Sequence, residues 1–254
     1  MIRLTFRFYG ELNDFLPFAY RYHEFRCAIR DPASVKDAIE ALGVPHPEVD
    51  VLLINGRDDE FSCRLRDGDR VAAYPAFRSI DLGGLRRLGG DPPAPVRFVA
   101  DAHLVRLAAF LRLCGFDTLV DDDDAEVAGI GARDARVVLT RDVGLLKRAV
   151  IRYGYWVRRT DPERQLAEVL ARFGLVDRMQ PFTRCLACNT LLVPADADRV
   201  ADRLPARTRE NFQQFHECPG CARVYWPGSH YTRLRELIER VREANQVKVG
   251  AWPN

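Results

Sequence analysis

A chain of 254 residues, 47% of them hydrophobic, can bury one large core or two modest ones, so the expectation is a globular protein of roughly one to two domains. Its formal charge of +2 is too mild for a protein that grips phosphate by net charge alone. No stretch approaches the roughly 20 apolar residues of a bilayer span, and the opening Met1-Ile-Arg-Leu-Thr-Phe-Arg-Phe alternates polar and apolar residues, which argues against a membrane protein and predicts a cytoplasmic one.

In chain order, Ile2, Leu4, Phe6 and Phe8 alternate with Arg3, Thr5 and Arg7, the period of a half-buried strand that ends at Gly10. A second β-rich run, Tyr20 to Ile29, would pair with it as a hairpin. Ser34-Val35-Lys36-Asp37 then resembles a capping box opening a helix over Val35–Leu42, closed by Gly43. Strands follow at Val51–Ile54, before the turn Asn55-Gly56, and at Arg70–Tyr74, after Asp67-Gly68-Asp69. The order is ββαββ over residues 1–78. Residues 79–95 are rich in glycine and proline and read as a linker.

After residue 95 short apolar strands alternate with helices: strands at Val96–Ala100, Thr118–Val120, Val137–Thr140 and Tyr155–Val157, and helices at His103–Cys114, Ala125–Arg133, Val143–Arg152 and Pro162–Phe173. Such a series over residues 96–176 predicts an α/β domain with a parallel sheet. Thr160-Asp161-Pro162-Glu163 fits a capping box with proline in the first turn. Residues 177–254 hold the paired cysteines and end in an amphipathic helix with Leu234, Leu237, Ile238 and Val241 on one face.

Of the seven cysteines, four form two Cys-x-x-Cys pairs, Cys185-Leu-Ala-Cys188 and Cys218-Pro-Gly-Cys221. Each spacing lets two thiolates of one tight turn point at a single tetrahedral ion, so a structural zinc is expected, closed to substrate because all four positions are filled. A redox dithiol would instead need one pair at a strand-to-helix junction. Cys27, Cys63 and Cys114 read as packed thiols.

Acids follow every strand of the α/β series: Asp101, then Asp121 to Asp124, then Asp142, then Asp161. In a parallel sheet these positions share the carboxyl edge. Clustered carboxylates repel unless a cation neutralises them, and oxygen-ligated Mg²⁺ or Mn²⁺ suits Asp101, Asp124 and Asp142. Helix capping is the competing explanation for each, and it is the preferred one for Asp161.

Phe98-Val99-Ala100-Asp101-Ala102-His103-Leu104, Leu111-Arg112-Leu113-Cys114-Gly115-Phe116-Asp117 and Val138-Leu139-Thr140-Arg141-Asp142 resemble the PIN-like ribonuclease domain of the Mut-seven C-terminal family. The likeness runs over roughly residues 96–240 and includes the paired cysteines and Gly228-Ser229-His230, which in that family belong to a zinc ribbon. It implies a metal-dependent ribonuclease with Asp101, Asp124 and Asp142 as catalytic and Mg²⁺- or Mn²⁺-binding acids, the middle acid remaining open among Asp121 to Glu126. It further implies RNA contacts from Arg112, Arg141 and His230, although ion pairing or packing explains each of these as well.

The segment with Phe8-Tyr9-Gly10-Glu11-Leu12 and Leu65-Arg66-Asp67-Gly68-Asp69 is similar to the ubiquitin-like β-grasp modules that precede this domain, and more distantly to sulfur carriers. A carrier needs a free terminal Gly-Gly. Here the module closes on Tyr74-Pro75-Ala76-Phe77, so an interaction role, toward a protein partner or the ribosome, or a substrate-presenting role is expected instead of carrier chemistry. Against the ribonuclease stands a non-catalytic RNA- or ribosome-binding adaptor in which the acids are vestigial.

Overall fold

The computed structural model describes residues 1–30, 32, 34–77 and 84–246. Part of the expected linker, residues 79–83, lies outside the described residues. The chain divides into two compact units, Met1–Pro95 with Asp123–Trp156, and Val96–Asp122 with the chain from Val157 onward.

The N-terminal strands are β1 (Ile2–Phe8), β2 (Phe25–Ile29), β3 (Val51–Ile54), β4 (Arg57–Asp58) and β5 (Arg70–Tyr74), with helix α1 (Val35–Ala41) between β2 and β3. They form one sheet in the order β2-β1-β5-β3-β4, with β1 antiparallel to β2 and parallel to β5. Ser34 opens α1, its hydroxyl accepting the Asp37 N–H at 3.2 Å. Asn55 and Gly56 both take positive φ, 52° and 83°, which closes the two-residue hairpin into β4, a strand the sequence did not announce. The alternating apolar residues of β1 supply Leu4, Phe6 and Phe8 to the core, where they meet Val35, Ile39 and Val71.

β2 is shorter than expected. 3₁₀ segments at Gly10–Phe15 and Phe18–Tyr20 occupy the approach to it, and Asn13 organises them: its amide donates to the Phe8 and Gly10 carbonyls and its oxygen accepts the Tyr22 N–H. The described end of the linker is not a loose tether. Leu88 packs on the β-grasp core and donates its N–H to Asp50 O at 2.7 Å, while Arg87 pairs with the buried Asp50 carboxylate at 2.8 Å.

Next in the chain come β6 (Phe98–Asp101), α2 (Val105–Leu113), β7 (Thr118–Asp121), α3 (Asp124–Arg133), β8 (Val137–Thr140), α4 (Val143–Leu146), β9 (Gly154–Trp156) and α5 (Pro162–Phe173). β6 pairs with β7 in parallel, β8 pairs with β9 in parallel, and each pair is joined through a helix, so the class is α/β as expected. β6 and β8 are buried at every residue, the mark of parallel strands covered on both faces.

Two helices differ from expectation. A 3₁₀ turn at Ala102–Leu104 precedes α2, because the Asp101 side chain accepts the His103 N–H and turns the chain there. α4 is a single turn rather than a helix to Arg152. The chain folds back after Lys147 to bury Ile151, and the approach to β9 is tight: a Cβ on Gly154 would lie 2.7 Å from Leu146.

Beyond α5 lie β10 (Val193–Ala195), α6 (Ala197–Val200), α7 (Ala206–Asn211), β11 (Phe215–Glu217), β12 (Val224–Tyr225) and α8 (Ser229–Gln246). β10, β11 and β12 make a small antiparallel sheet. The short α6 and α7, too brief to show a period, sit between the two cysteine pairs and help cover Val200, Leu204 and Phe215. α8 buries Leu237, Ile238 and Val241, as its pattern implied, packs against α5, and is pinned there by Arg240 to Glu163 at 3.0 Å.

Candidate functional site

Asp101 is the last residue of β6 and only 5% exposed; one oxygen accepts the His103 N–H at 2.9 Å. Its register partner on β7 is Asp121, so two carboxylates end adjacent parallel strands, roughly 5 Å apart at the backbone and on the same side of the pleat. The family resemblance implies Asp124 for the middle acid while leaving Asp121 to Glu126 open, and strand pairing brings Asp121 beside Asp101.

Asp101 and Asp121 belong to one compact unit, Asp124 and Asp142 to the other. The start of α3 separates the roles of its neighbouring acids. Asp123 is the N-cap and accepts the N–H groups of Ala125 and Glu126 at 2.6 and 3.2 Å, whereas Asp124 is the first helical residue, exposed, and not the cap. Asp142 follows β8. Its N–H donates to the buried Thr140 hydroxyl at 2.8 Å and its Oδ1 accepts the Gly144 N–H at 2.7 Å, a turn that the Thr-Arg-Asp sequence builds from its own side chains. Gly144 keeps this turn open, because a Cβ there would lie 3.1 Å from Asp142 Oδ1. Asp161 caps α5 by accepting the Arg164 N–H at 3.0 Å.

The Asp142 turn is held from the N-terminal module. Glu48, fully buried, accepts the Trp156 N–H at 2.6 Å, and the Trp156 indole N–H in turn donates to the Arg141 carbonyl at 3.1 Å. Phe15 lies against the same indole, ring centroids 5.1 Å apart. Neither Glu48 nor Trp156 carries a sequence signal for this role, since both bonds use a backbone group on one side.

Cys185, Cys188, Cys218 and Cys221 come together, their sulfurs within 4.8 Å of one another. The two pairs are built alike. In each, a residue directly after the second cysteine takes positive φ, Asn189 at 71° and Ala222 at 59°, and the chain returns on itself through Asn189 N–H to Cys185 O and Ala222 N–H to Cys218 O. A tetrahedral zinc with Zn–S of about 2.3 Å sets its sulfurs about 3.8 Å apart, which the spacing of the four accommodates.

Their electrostatics fit a cation. Burial pushes the Cys185 thiol up, but the Tyr225 hydroxyl 3.1 Å away and the N–H groups of Cys188 and Ala187 outweigh it and hold the thiol below its ordinary value. Cys188 is lowered to about 6, first by the Thr190 hydroxyl. Cys221 goes the other way, pushed up to about 12: the Arg223 N–H draws it down, and burial with the three neighbouring sulfurs overcomes that. Cys185 and Cys188 thus favour the thiolate while Cys221 holds its proton beside them, and a divalent ion among the four would let Cys221 ionise as well. The remaining thiols are packed: Cys114 is fully buried, and Cys27 and Cys63 lie half-buried against the β-grasp core.

Of the three residues expected at RNA, Arg112 is engaged inside its own domain. It is 7% exposed and donates to Thr118 O, Leu186 O and Ala187 O at 2.9, 3.0 and 2.8 Å, clasping the first cysteine turn to α2 and β7. Asn189 adds a second clasp, accepting the Thr118 N–H and donating to Asp117. The Asn that follows the second cysteine was the available clue; the partners of Arg112 are backbone carbonyls, which sequence does not mark. Arg141 is half-buried, and His230 is exposed near the start of α8.

Among the described residues no helix is long and apolar enough to cross a membrane. Neither the curated proteins nor the solved structures compared with the chain include a match. Two family models do match: the Mut7-C ubiquitin model over residues 1–81 and the Mut7-C RNAse domain model over residues 96–238. The second spans more than half of the chain, and its range takes in Asp101, the Thr140-Arg141-Asp142 turn and all four clustered cysteines, so the chain belongs to the Mut7-C RNAse domain family and carries a Mut7-C ubiquitin module ahead of that domain.

Proposed function

We propose that the chain is a metal-dependent ribonuclease whose acids at the carboxyl ends of β6, β7 and β8 hold Mg²⁺ or Mn²⁺. The observation that carries this reading, beside the family, is the pairing of Asp101 with Asp121 at neighbouring strand ends. Asp142 gives Oδ1 to its own turn, and a carboxylate used in this way can still ligate a cation through its second oxygen. Asp124, which is not the cap of its helix, and Asp121, beside Asp101, both suit the middle position. Hard oxygen donors are the ligand chemistry of Mg²⁺ and Mn²⁺. A divalent ion bound there would supply charge neutralisation at the phosphodiester and acidify an attacking water.

In this reading the cysteine quartet holds a structural zinc. With four thiolates it leaves no position for substrate, and Arg112 and Asn189 transmit its rigidity to α2 and β7. Arg141 and His230 keep the proposed role of phosphate contacts. RNA is the substrate class, and the β-grasp module would meet a protein partner or the ribosome. The adaptor reading draws on the turn-forming bonds of Asp101 and Asp142, which give both acids a structural use.

The test is cleavage of total cellular RNA by the wild-type protein and by Asp101→Asn, each with Mn²⁺ and with chelator. Loss of cleavage of at least about 100-fold on either change is expected for an acid that positions a catalytic metal. Equal cleavage by the variant, or none by the wild type, would remove the enzymatic reading and leave the adaptor.

A further inference from the structure

We propose that a cleft between the zinc-ribbon turns and the start of α8 binds an unstacked base of single-stranded RNA, an inference that rests on the ribonuclease reading for the choice of ligand. The cleft has a volume of about 890 Å³ and is lined from Leu113 and from residues 182–234, within one compact unit. Its size falls in the range of about 300–1,000 Å³ typical of sites that enclose small organic groups.

Its walls are aromatic. Phe182 and Tyr231 stand with ring centroids 4.3 Å apart, and Tyr225 and Trp226 follow one another at the end of β12. Trp226 is half-buried, leaning on the small core of Val200, Leu204 and Phe215. Gly228 sets its pose: a Cβ there would lie 2.9 Å from the indole Nε1, so only glycine lets the ring lie over the Trp226-Pro227-Gly228 turn.

Beside the neutral Gln214, Ser229 and tyrosine hydroxyls, the cleft is lined by basic side chains. Arg184, Arg203, Arg223, His216 and His230 line it, and among the described residues no carboxylate does. Arg184 and Arg203 are fixed, the first by bonds to Gly115 O and Asn189 O, the second by bonds to Ala222 O and Glu217. Arg223, His216 and His230 are exposed. Flat rings inside a basic rim are what a single strand needs, because bases stack on the rings whatever their sequence while the rim meets the phosphates. A duplex keeps its bases stacked on each other and offers none to the rings. An apolar helix or peptide would gain from the rings but would offer the exposed Arg223 guanidinium no partner in place of the water it displaced.

Fluorescence anisotropy of a labelled single-stranded RNA octamer tests this on the full zinc-loaded chain, with Asp142→Asn in the background so that the probe survives. Trp226→Ala and Tyr231→Leu should each weaken binding about tenfold, with zinc content unchanged and binding of the matching duplex unaffected. Because Trp226 also supports the ribbon core, Trp226→Phe serves as the rescue and should bind within about twofold of the parent, as a retained ring face requires. In the cleavage-competent background the same ring variants should raise KM and leave kcat near its parental value. Unchanged single-strand binding in both ring variants would overturn the proposal, as would displacement from the cleft by an acidic peptide with RNA binding untouched. Should the parent cleave no RNA at all, the binding measurement still stands, and only the nuclease reading is lost.

Discussion

At the scale of single residues, the groups that brace the candidate site are mostly those whose partners are backbone. Arg112 places a guanidinium among three carbonyls where water has little access, and burial, the largest influence on it, pulls its pKa below the ordinary value. Removing it leaves carbonyls of Thr118, Leu186 and Ala187 short of donors at about 1–3 kcal/mol for each buried group so stranded. Arg112→Met, which keeps most of the aliphatic stem, should lower the unfolding free energy by about 2–4 kcal/mol in denaturant titration and speed the loss of zinc to a chelator. An unchanged unfolding midpoint would return Arg112 to the role of a phosphate contact. The cysteines were legible because their chemistry fixes their spacing. The positive-φ residue that ends each turn was only half legible, through Asn189, since Ala222 takes the same conformation with no side chain suited to it.

At the scale of elements, the longer strands were readable where apolar period and turn residues agree, as in Leu4, Phe6 and Phe8 of β1, whereas β4 and the short β10, β11 and β12 carry too few residues to show a period. α4 was not: Val143, Leu145, Leu146 and Val150 suggest a helical stripe, yet the helix stops after one turn because the chain must fold back into β9. That short connection also exposes β9 to control from the β-grasp module. Glu48 holds the Trp156 N–H, and Trp156 holds the Arg141 carbonyl beside Asp142. Glu48→Ala should therefore raise hydrogen exchange across Gly154–Trp156 and cost about 1–3 kcal/mol for the stranded N–H. Exchange that stays at the wild-type rate would mean the β-grasp module does not steady the Asp142 turn. Asp121 was one of the acids the sequence left open for the middle position, and the register of β6 with β7 puts it beside Asp101.

At the scale of the whole molecule, the boundaries of the family match and those of the compact units differ. The RNAse domain model begins at residue 96, whereas Asp123–Trp156 packs with the N-terminal module. His46 is one reason. Its ring sits 2.6 Å from Glu40 and 2.9 Å from the Ile151 carbonyl, while the Lys147 ammonium donates to Glu40 O. Burial lowers the His46 pKa, and its bond to Glu40 offsets this only in part, with Lys36 adding to the lowering. The unfolded chain then takes up a proton at about pH 6.5 that the folded chain refuses, so stability should fall as pH drops below about 6.5 and level off beneath the folded pKa. His46→Gln should flatten that part of a stability–pH curve, and an unaltered slope would show that other groups cause it. The central claim, that the strand-end acids direct water at an RNA phosphodiester, is tested most directly by the ends of the products. Single-turnover cleavage of a defined RNA with Mn²⁺ in ¹⁸O-water should give one ¹⁸O in each new terminal phosphate, with the reaction lost in Asp142→Asn. Products ending in 2′,3′-cyclic phosphate without ¹⁸O, formed equally by the variant, would contradict it.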